Sequence, residues 1–270
     1  MRSFQSGLRS LFAGKSFSKE AGVSSFSCYL LMIGLSQKIY LHRHSSIDFI
    51  PSEFVTTFEA ALRAWQVSWE AVDEATLDPH SATSPFGLSS AALLRLSFIR
   101  LNVKHEVCRG TFWGGSPALM TEISALDRSL HVERAVLHAA HALSMLVRLG
   151  ISYMATTKTS IWSIEHSVCS LESAVLLKNW LAMISTVVAS SGTDGLRVSE
   201  KKLLGIFTAI IKETDYAGIL SLPDDNAIRY QRMAATIIEL WASLFQGPHI
   251  LEIDDEVSSA LRVLADSIQT

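Results

Sequence analysis

"VERAVLHAAHALSMLVRLGI", residues 132–151, decides the fold. Its apolar residues recur at spacings of three and four, the period of an α-helix with one side buried. Gly150 follows the last periodic residue, where glycine commonly closes a helix. The spacing therefore predicts a helix over 130–149. His138 and His141 lie inside the run, three residues apart and so on one helical face. Downstream, "WSIEHSVCSLE", residues 162–172, repeats the arrangement with His166 and Cys169. If the two helices pair antiparallel through the short "ISYMATTK" connection, the two faces meet. That face must also bury Val136, Leu137, Leu146, Ile164 and Val168. Neutral histidine in such a setting usually finds a carbonyl or another side chain as partner. His-x-x-His is also a weaker metal signal than paired Cys-x-x-Cys ligands. The four are read as polar residues at the edge of a core that hold a helix pair in register. Whether they meet in space is decided by the fold.

The same period runs through most of the chain. Ser52, after Pro51, is a plausible N-cap, and Phe54, Phe58, Ala61, Leu62, Trp65, Trp69 and Val72 follow at helical spacing. Glu53, Glu59, Arg63 and Glu70 fall between them. An amphipathic helix to about residue 75, roughly 35 Å long, is expected. "LSSAALLRLSFIRLNV", 88–103, is apolar on most faces and reads as a buried central helix. Residues 159–185 read as a long helix with Ile161, Ile164, Val168, Leu171, Val175, Trp180 and Ile184 along one side. Ser199 is expected to cap "EKKLLGIFTAIIKET". "RYQRMAATIIELWASLF" should stop at Gly247-Pro248. Asp254 or Asp255 is expected to cap "EVSSALRVLADSI", and the segment to Tyr40 reads as two helices. Strand-like alternation is nearly absent. The fold class expected is all-α: an irregular bundle of roughly eight to eleven helices in one domain over residues 1–270.

The bulk composition narrows the function classes. Hydrophobic residues make up 49% and charged residues 18%, a globular composition with less polar surface than most soluble domains offer. Net charge is −3, without the basic excess that marks a nucleic-acid surface. Lys201-Lys202 is too short for an import signal. Cys28, Cys108 and Cys169 are odd in number and widely spaced, which argues against a disulfide framework and for a reducing compartment. The start lacks a secretory signal, and the run "CYLLMIGL" is too short to span a bilayer. Buried core helices, with no membrane partner, are the expectation.

Motifs that carry chemistry are incomplete. "AGKS" ends like a phosphate-binding loop, but Arg9 stands where the first glycine is needed before Gly14. "HEVCR", 105–109, begins like a zinc-protease helix, but Arg109 replaces the second histidine. No nucleophile elbow occurs, since "GLSQK" ends in Lys38 and "GISYM" in Met154. Asp224-Asp225 and Asp254-Asp255 suggest a second class, an all-α enzyme of the isoprenoid-processing type with a hydrophobic pocket and an acid-bound metal. Ile228 and Ser258 stand where a third carboxylate is required. Both pairs read instead as helix caps. No residue is assigned as catalytic, cofactor-binding or metal-ligating.

The stretch from Ala135 to Leu181 resembles the regulatory, or middle homology, domain of fungal transcription factors of the xylanolytic-activator type. The branch it resembles follows a two-finger zinc DNA-binding head. Its pattern of His-Ala-Leu-Ser, Val-Arg-Leu-Gly-Ile and Trp-Ser-Ile-x-His-Ser-x-Cys-Ser-Leu-Glu stands here at 141–144, 147–151 and 162–172. "LSSAALLRLSFIRLNV", "LRAWQVSWE" (62–70) and "MIGLSQKIYLHR" (32–43) are similar to further segments of that family. The likeness covers about residues 8–185 well and the remainder loosely. Leu146 stands where the family often has proline. No zinc-finger ligands occur, so the family's DNA-binding residues have no positions here. The resemblance implies a non-enzymatic regulatory domain, the C-terminal part of a longer nuclear factor. It implies partners in the transcription machinery or a small effector, and DNA reached only through an absent N-terminal domain. Zinc is implied only in that head, with no cofactor in this chain.

Overall fold

The computed structural model describes residues 3–17, 23–45, 52–73, 76–77, 81, 84–103, 126–157, 162–248 and 252–269. Its α-helices are α1 (Phe4–Phe12), α2 (Ser25–Ser45), α3 (Ser52–Glu70), α4 (Ser84–Asn102), α5 (Leu130–Leu149), α6 (Ile151–Thr157), α7 (Ile164–Ser191), α8 (Val198–Lys212), α9 (Ala227–Leu244) and α10 (Ile253–Gln269). Two 3₁₀ turns, Thr193–Gly195 and Ala217–Ser221, join the later helices. No strand occurs among the described residues. The all-α expectation holds.

The chain divides into two compact units. One holds Met1–Lys104 and Ile161–His166; the other holds His105–Ser160 and Ser167–Thr270. In the first unit, α2 lies against α3 and α4, with α1 across α2 and α3. Trp65 of α3 is fully buried, and its indole N–H donates to the Cys28 carbonyl of α2 at 2.8 Å. Phe12 meets Phe58 edge to face, with ring centroids 4.9 Å apart. The Ser68 hydroxyl donates to the Ala64 carbonyl and accepts the Phe17 N–H at 2.8 Å, which anchors the chain after α1. As the sequence predicts, α4 is buried on nearly every side, from Leu88 to Val103.

In the second unit, α5 packs on α8, and α9 packs on both α6 and α10. Gly150 has φ +88°, a conformation L side chains rarely adopt, and it closes α5 at the predicted place. The chain then turns by 84° into α6, so "ISYMATTK" is mostly helix rather than a plain connection. Gly247 does more than stop α9. A Cβ there would lie 1.9 Å from the Ala155 carbonyl oxygen of α6, so only glycine allows this approach.

Several boundaries differ from expectation. Helix α3 ends at Glu70, where the Val72 N–H bonds to the Trp69 carbonyl, a tight i→i−3 link that ends the α-helical ladder. Ser52 lies inside that helix rather than before it. Glu59, placed on the solvent side by spacing, is buried beside the exposed Arg63 at 3.4 Å. Helix α7 starts and ends later than residues 159–185. Ile164 is exposed, and residues 169–177 are buried without interruption, so burial is not confined to one stripe. By length and composition α7 alone among the described helices is apolar enough to cross a membrane, and more than half of its most apolar window is buried.

Trp65→Ala removes the largest side chain of the first unit's core and its hydrogen bond. A loss of about 3–5 kcal/mol is expected, against a typical domain stability of ~5–15 kcal/mol. An unchanged denaturation midpoint would contradict the packing described.

Candidate functional site

Among the described residues no three His, Cys, Asp or Glu side chains are placed to share an ion. His138 and His141 stand edge to face with ring centroids 6.5 Å apart, and His141 is exposed on the side of α5 away from Val136, Ala139, Leu143 and Leu146. The core-edge reading therefore fits half-buried His138 and fails for His141. Cys169 is buried, its Sγ 3.9 Å from the Ser173 hydroxyl. His105 and Cys108, with the whole "HEVCR" stretch, lie outside the described residues.

His166 has a different task. Ser163 precedes α7 as its N-cap, and His166 is the third residue of the helix. The Ser163 N–H donates to His166 Nδ1 at 3.1 Å, and the Ser163 hydroxyl lies 2.8 Å from the same nitrogen. Glutamate or glutamine usually fills this role in a capping box, and here an imidazole does. Trp162 stacks on the ring at 4.7 Å, and the Ser89 hydroxyl of α4 meets that of Ser163 at 3.0 Å. Burial above all, with nearby Arg95 adding to it and Glu165 opposing it, lowers the imidazole pKa to about 4. The ring is neutral, with Nδ1 as acceptor and the proton on Nε2 beside the Leu88 backbone. Glu165 accepts the Tyr29 hydroxyl of α2 at 2.5 Å. Burial raises the Glu165 pKa, but hydrogen bonds from Ser163 and Tyr29 outweigh it and hold the carboxyl below the usual range.

A serine 2.8 Å from a histidine also has the outline of a nucleophile and its base. The chemistry does not follow. A base works best with a pKa near the operating pH, and this ring lies far below it. Its acceptor nitrogen is already committed to a backbone N–H. Ser163, Glu165 and His166 fasten the start of α7 to α2 and α4 inside the first unit.

A second polar cluster, which sequence reasoning missed, binds α5 to α8 in the second unit. The Arg128 guanidinium, two residues before α5, grips Glu200 of α8 with Nε to Oε1 at 2.7 Å and Nη2 to Oε2 at 2.5 Å. Arg197 answers with Nη1 to Glu133 at 3.2 Å and Nη2 to the Arg128 carbonyl at 2.9 Å. Glu200 also accepts the Arg197 N–H at 2.7 Å, so Glu200 and not Ser199 closes the start of α8. Burial of Glu200 raises its pKa, while Arg128 and Arg197 more than offset this and keep it ionised. The Glu three residues into a helix was the available signal; its Arg partners are distant in sequence and were not.

The paired acids are also placed. Asp224 bonds Arg229 at 2.5 Å and its carbonyl takes the Tyr230 hydroxyl, while Asn226 is the cap of α9. Asp254 is buried inside the first turn of α10 and accepts the Ser167 hydroxyl. Neither pair is the cap expected from sequence. Gly14, in the loop-like "AGKS", has φ +69° and follows the end of α1, where Lys15 N–H bonds back to Ser10.

The profile of the fungal transcription factor C-terminal domain matches residues 115–263. The chain belongs to that family. The match spans more than half of the chain and covers α5 to most of α10, further toward the C-terminus than the segments that carry the resemblance best. No curated protein and no solved structure matches. The family makes the chain a regulatory transcription factor domain, and nothing favours the isoprenoid-type enzyme.

Two outcomes test these clusters. The folded state holds His166 neutral down to about pH 4, whereas the unfolded chain takes up its proton near 6.5. The unfolded state therefore binds more protons in between, and stability falls as pH drops through that window, by up to about 3 kcal/mol. His166→Gln should flatten the stability slope between about pH 6.5 and 5; an equal slope in the variant would show that His166 is not buried neutral. Separately, Arg128→Met leaves Glu200 buried without its main partner and should cost about 2–3 kcal/mol, with Arg128→Met/Glu200→Leu recovering part of it. Additive losses in the double variant would contradict the pairing.

Proposed function

We propose that this chain acts as one regulatory domain, the C-terminal part of a longer nuclear factor, and works through protein contacts without catalysis of its own. The profile match over residues 115–263 carries this reading. The uses found for the polar residues support it, since His166, Glu165, Arg128 and Glu200 each serve to fix one helix on another. The mechanism proposed is a helical bundle whose arrangement restrains or releases activation by partners in the transcription machinery or by a small effector. DNA would be reached only through a zinc-finger head, which is also where zinc would belong. Residues 8–114 lie before the matched region, and the zinc-finger branch rests on the sequence resemblance alone.

Tethering tests the reading. The full chain is fused to an unrelated DNA-binding domain that carries its own import signal, and a reporter is measured in fungal cells. Output should differ from that of the DNA-binding domain alone, and Trp65→Ala should abolish the difference. Equal output from a well-expressed fusion would contradict a regulatory role.

A further inference from the structure

One residue keeps two helices from being one. Helix α5 ends at Leu149, α6 begins at Ile151, and the chain turns by 84° between them. Gly150 has φ +88° and ψ +110°, outside the left-handed helical well that a closing glycine commonly occupies. The turn interrupts the hydrogen-bond ladder. Gly150 N–H bonds to the Val147 carbonyl and Met154 N–H to the Gly150 carbonyl. Between them, the N–H groups of Ile151 and Ser152 have no acceptor among the described residues. Only Met154 and Ala155 of α6 are buried, and α6 lies on α9, where Gly247 meets the Ala155 carbonyl. A helix of seven residues is too short to be stable alone, so this docking is what holds it. The Thr156 and Thr157 hydroxyls donate to the Tyr153 carbonyl at 2.9 and 2.8 Å, which closes the far end of α6 on itself.

The sequence fits a second arrangement. Met154 stands 18 residues after Val136 and 11 after Leu143, about five and three turns at ~3.6 residues per turn. Val136 and Leu143 are both fully buried on the core side of α5. In one straight helix over 130–157, Met154 would continue that side. The Ile151 and Ser152 N–H groups would then reach the Val147 and Arg148 carbonyls. The two arrangements trade terms of similar size. The bent one buries a methionine and an alanine on α9. The straight one gains backbone hydrogen bonds near solvent and places a glycine inside a helix. An element with one pivot, one contact point and two such arrangements can change state while the rest of the bundle stays packed. We propose that α5 and α6 form a two-state joint, bent at Gly150 with α6 on α9, or straight with α6 released. This deepens the regulatory reading, and rests on it, by naming the moving part of the bundle.

Nuclear magnetic resonance of the isotope-labelled full chain reads the joint at Gly150. In the parent, a minor form of about 0.1–10% should exchange with the major one and carry a helical Cα shift at Gly150. Gly150→Ala strains the bent form and removes the cost of glycine from the straight one. It should raise the ratio of straight to bent about thirtyfold and slow hydrogen exchange at Ile151 and Ser152. Gly247→Ala acts from the other side, by pushing the Ala155 carbonyl off α9, and should enrich the same form. A parent without the minor form overturns the proposal, and this measurement decides the matter if a variant fails to fold. A Gly150→Ala chain that keeps the bend and only melts earlier also overturns it. So does a Gly247→Ala chain in which α6 unwinds to coil instead of joining α5. The tethered reporter separates the joint from the reading beneath it. Straightened variants that give the parent's shifted output overturn the joint as the moving part and leave the regulatory reading standing. A silent parent tether with exchange at Gly150 sinks that reading and leaves the joint.

Discussion

A helix of 28 residues that is apolar on all sides has to be surrounded, and α7 imposes that condition on this protein. Helices with a single apolar stripe can lie on a core. This one has to be inside it from His166 to Leu181, where only Val168, Lys178 and Asn179 are less than buried. A buried donor or acceptor left unanswered on such a helix costs about 1–3 kcal/mol; Asn179 Nδ2 and Trp180 Nε1 go unanswered, and other polar groups of α7 find partners. The partners come from several directions. Ser167 donates to Asp254 of α10, and Ser185 donates to the Ala227 carbonyl at the start of α9. Phe207 of α8 meets Trp180 with ring centroids 5.6 Å apart.

The same demand gives residues that resemble chemistry a structural task. His166 supplies an acceptor to a helix start that would otherwise leave an N–H without one. Glu200 does so for α8 by accepting the Arg197 N–H, and the Arg128 guanidinium neutralises it. Both are buried groups held in one protonation state by their surroundings. A group fixed in that way orders a fold and is not free to exchange protons with a substrate.

Much of the fold was legible because period and punctuation agree. Helix α5 and its stop at Gly150 follow from apolar spacing and a single glycine. The all-round apolar character of 88–103 correctly placed α4 in a core. Legibility failed where distant partners override local signals. The start of α7 is set by Ser163 with His166, whereas in sequence His166 pairs with Cys169 as the outline of half a metal site, because histidine seldom closes a capping box. Its end passes the β-branched Val187-Val188, which local propensity disfavours, because Val188 is buried. The Arg128–Glu200 pair joins residues 72 apart, which no local pattern encodes. The exposure of Leu30 and Leu41 on α2 was hidden for another reason: an outward apolar residue in an apolar helix looks like an inward one until its neighbours are known.

The most direct test of the claim that the motif's histidine builds a helix start rather than a reactive centre is nuclear magnetic resonance of the His166 ring in isotope-labelled full chain. The neutral Nε2–H tautomer should persist to about pH 5 and ignore added zinc, as a buried ring with its Nδ1 occupied must. A ring that protonates near its ordinary pKa of about 6.5, carries its proton on Nδ1, or shifts on zinc addition would contradict it.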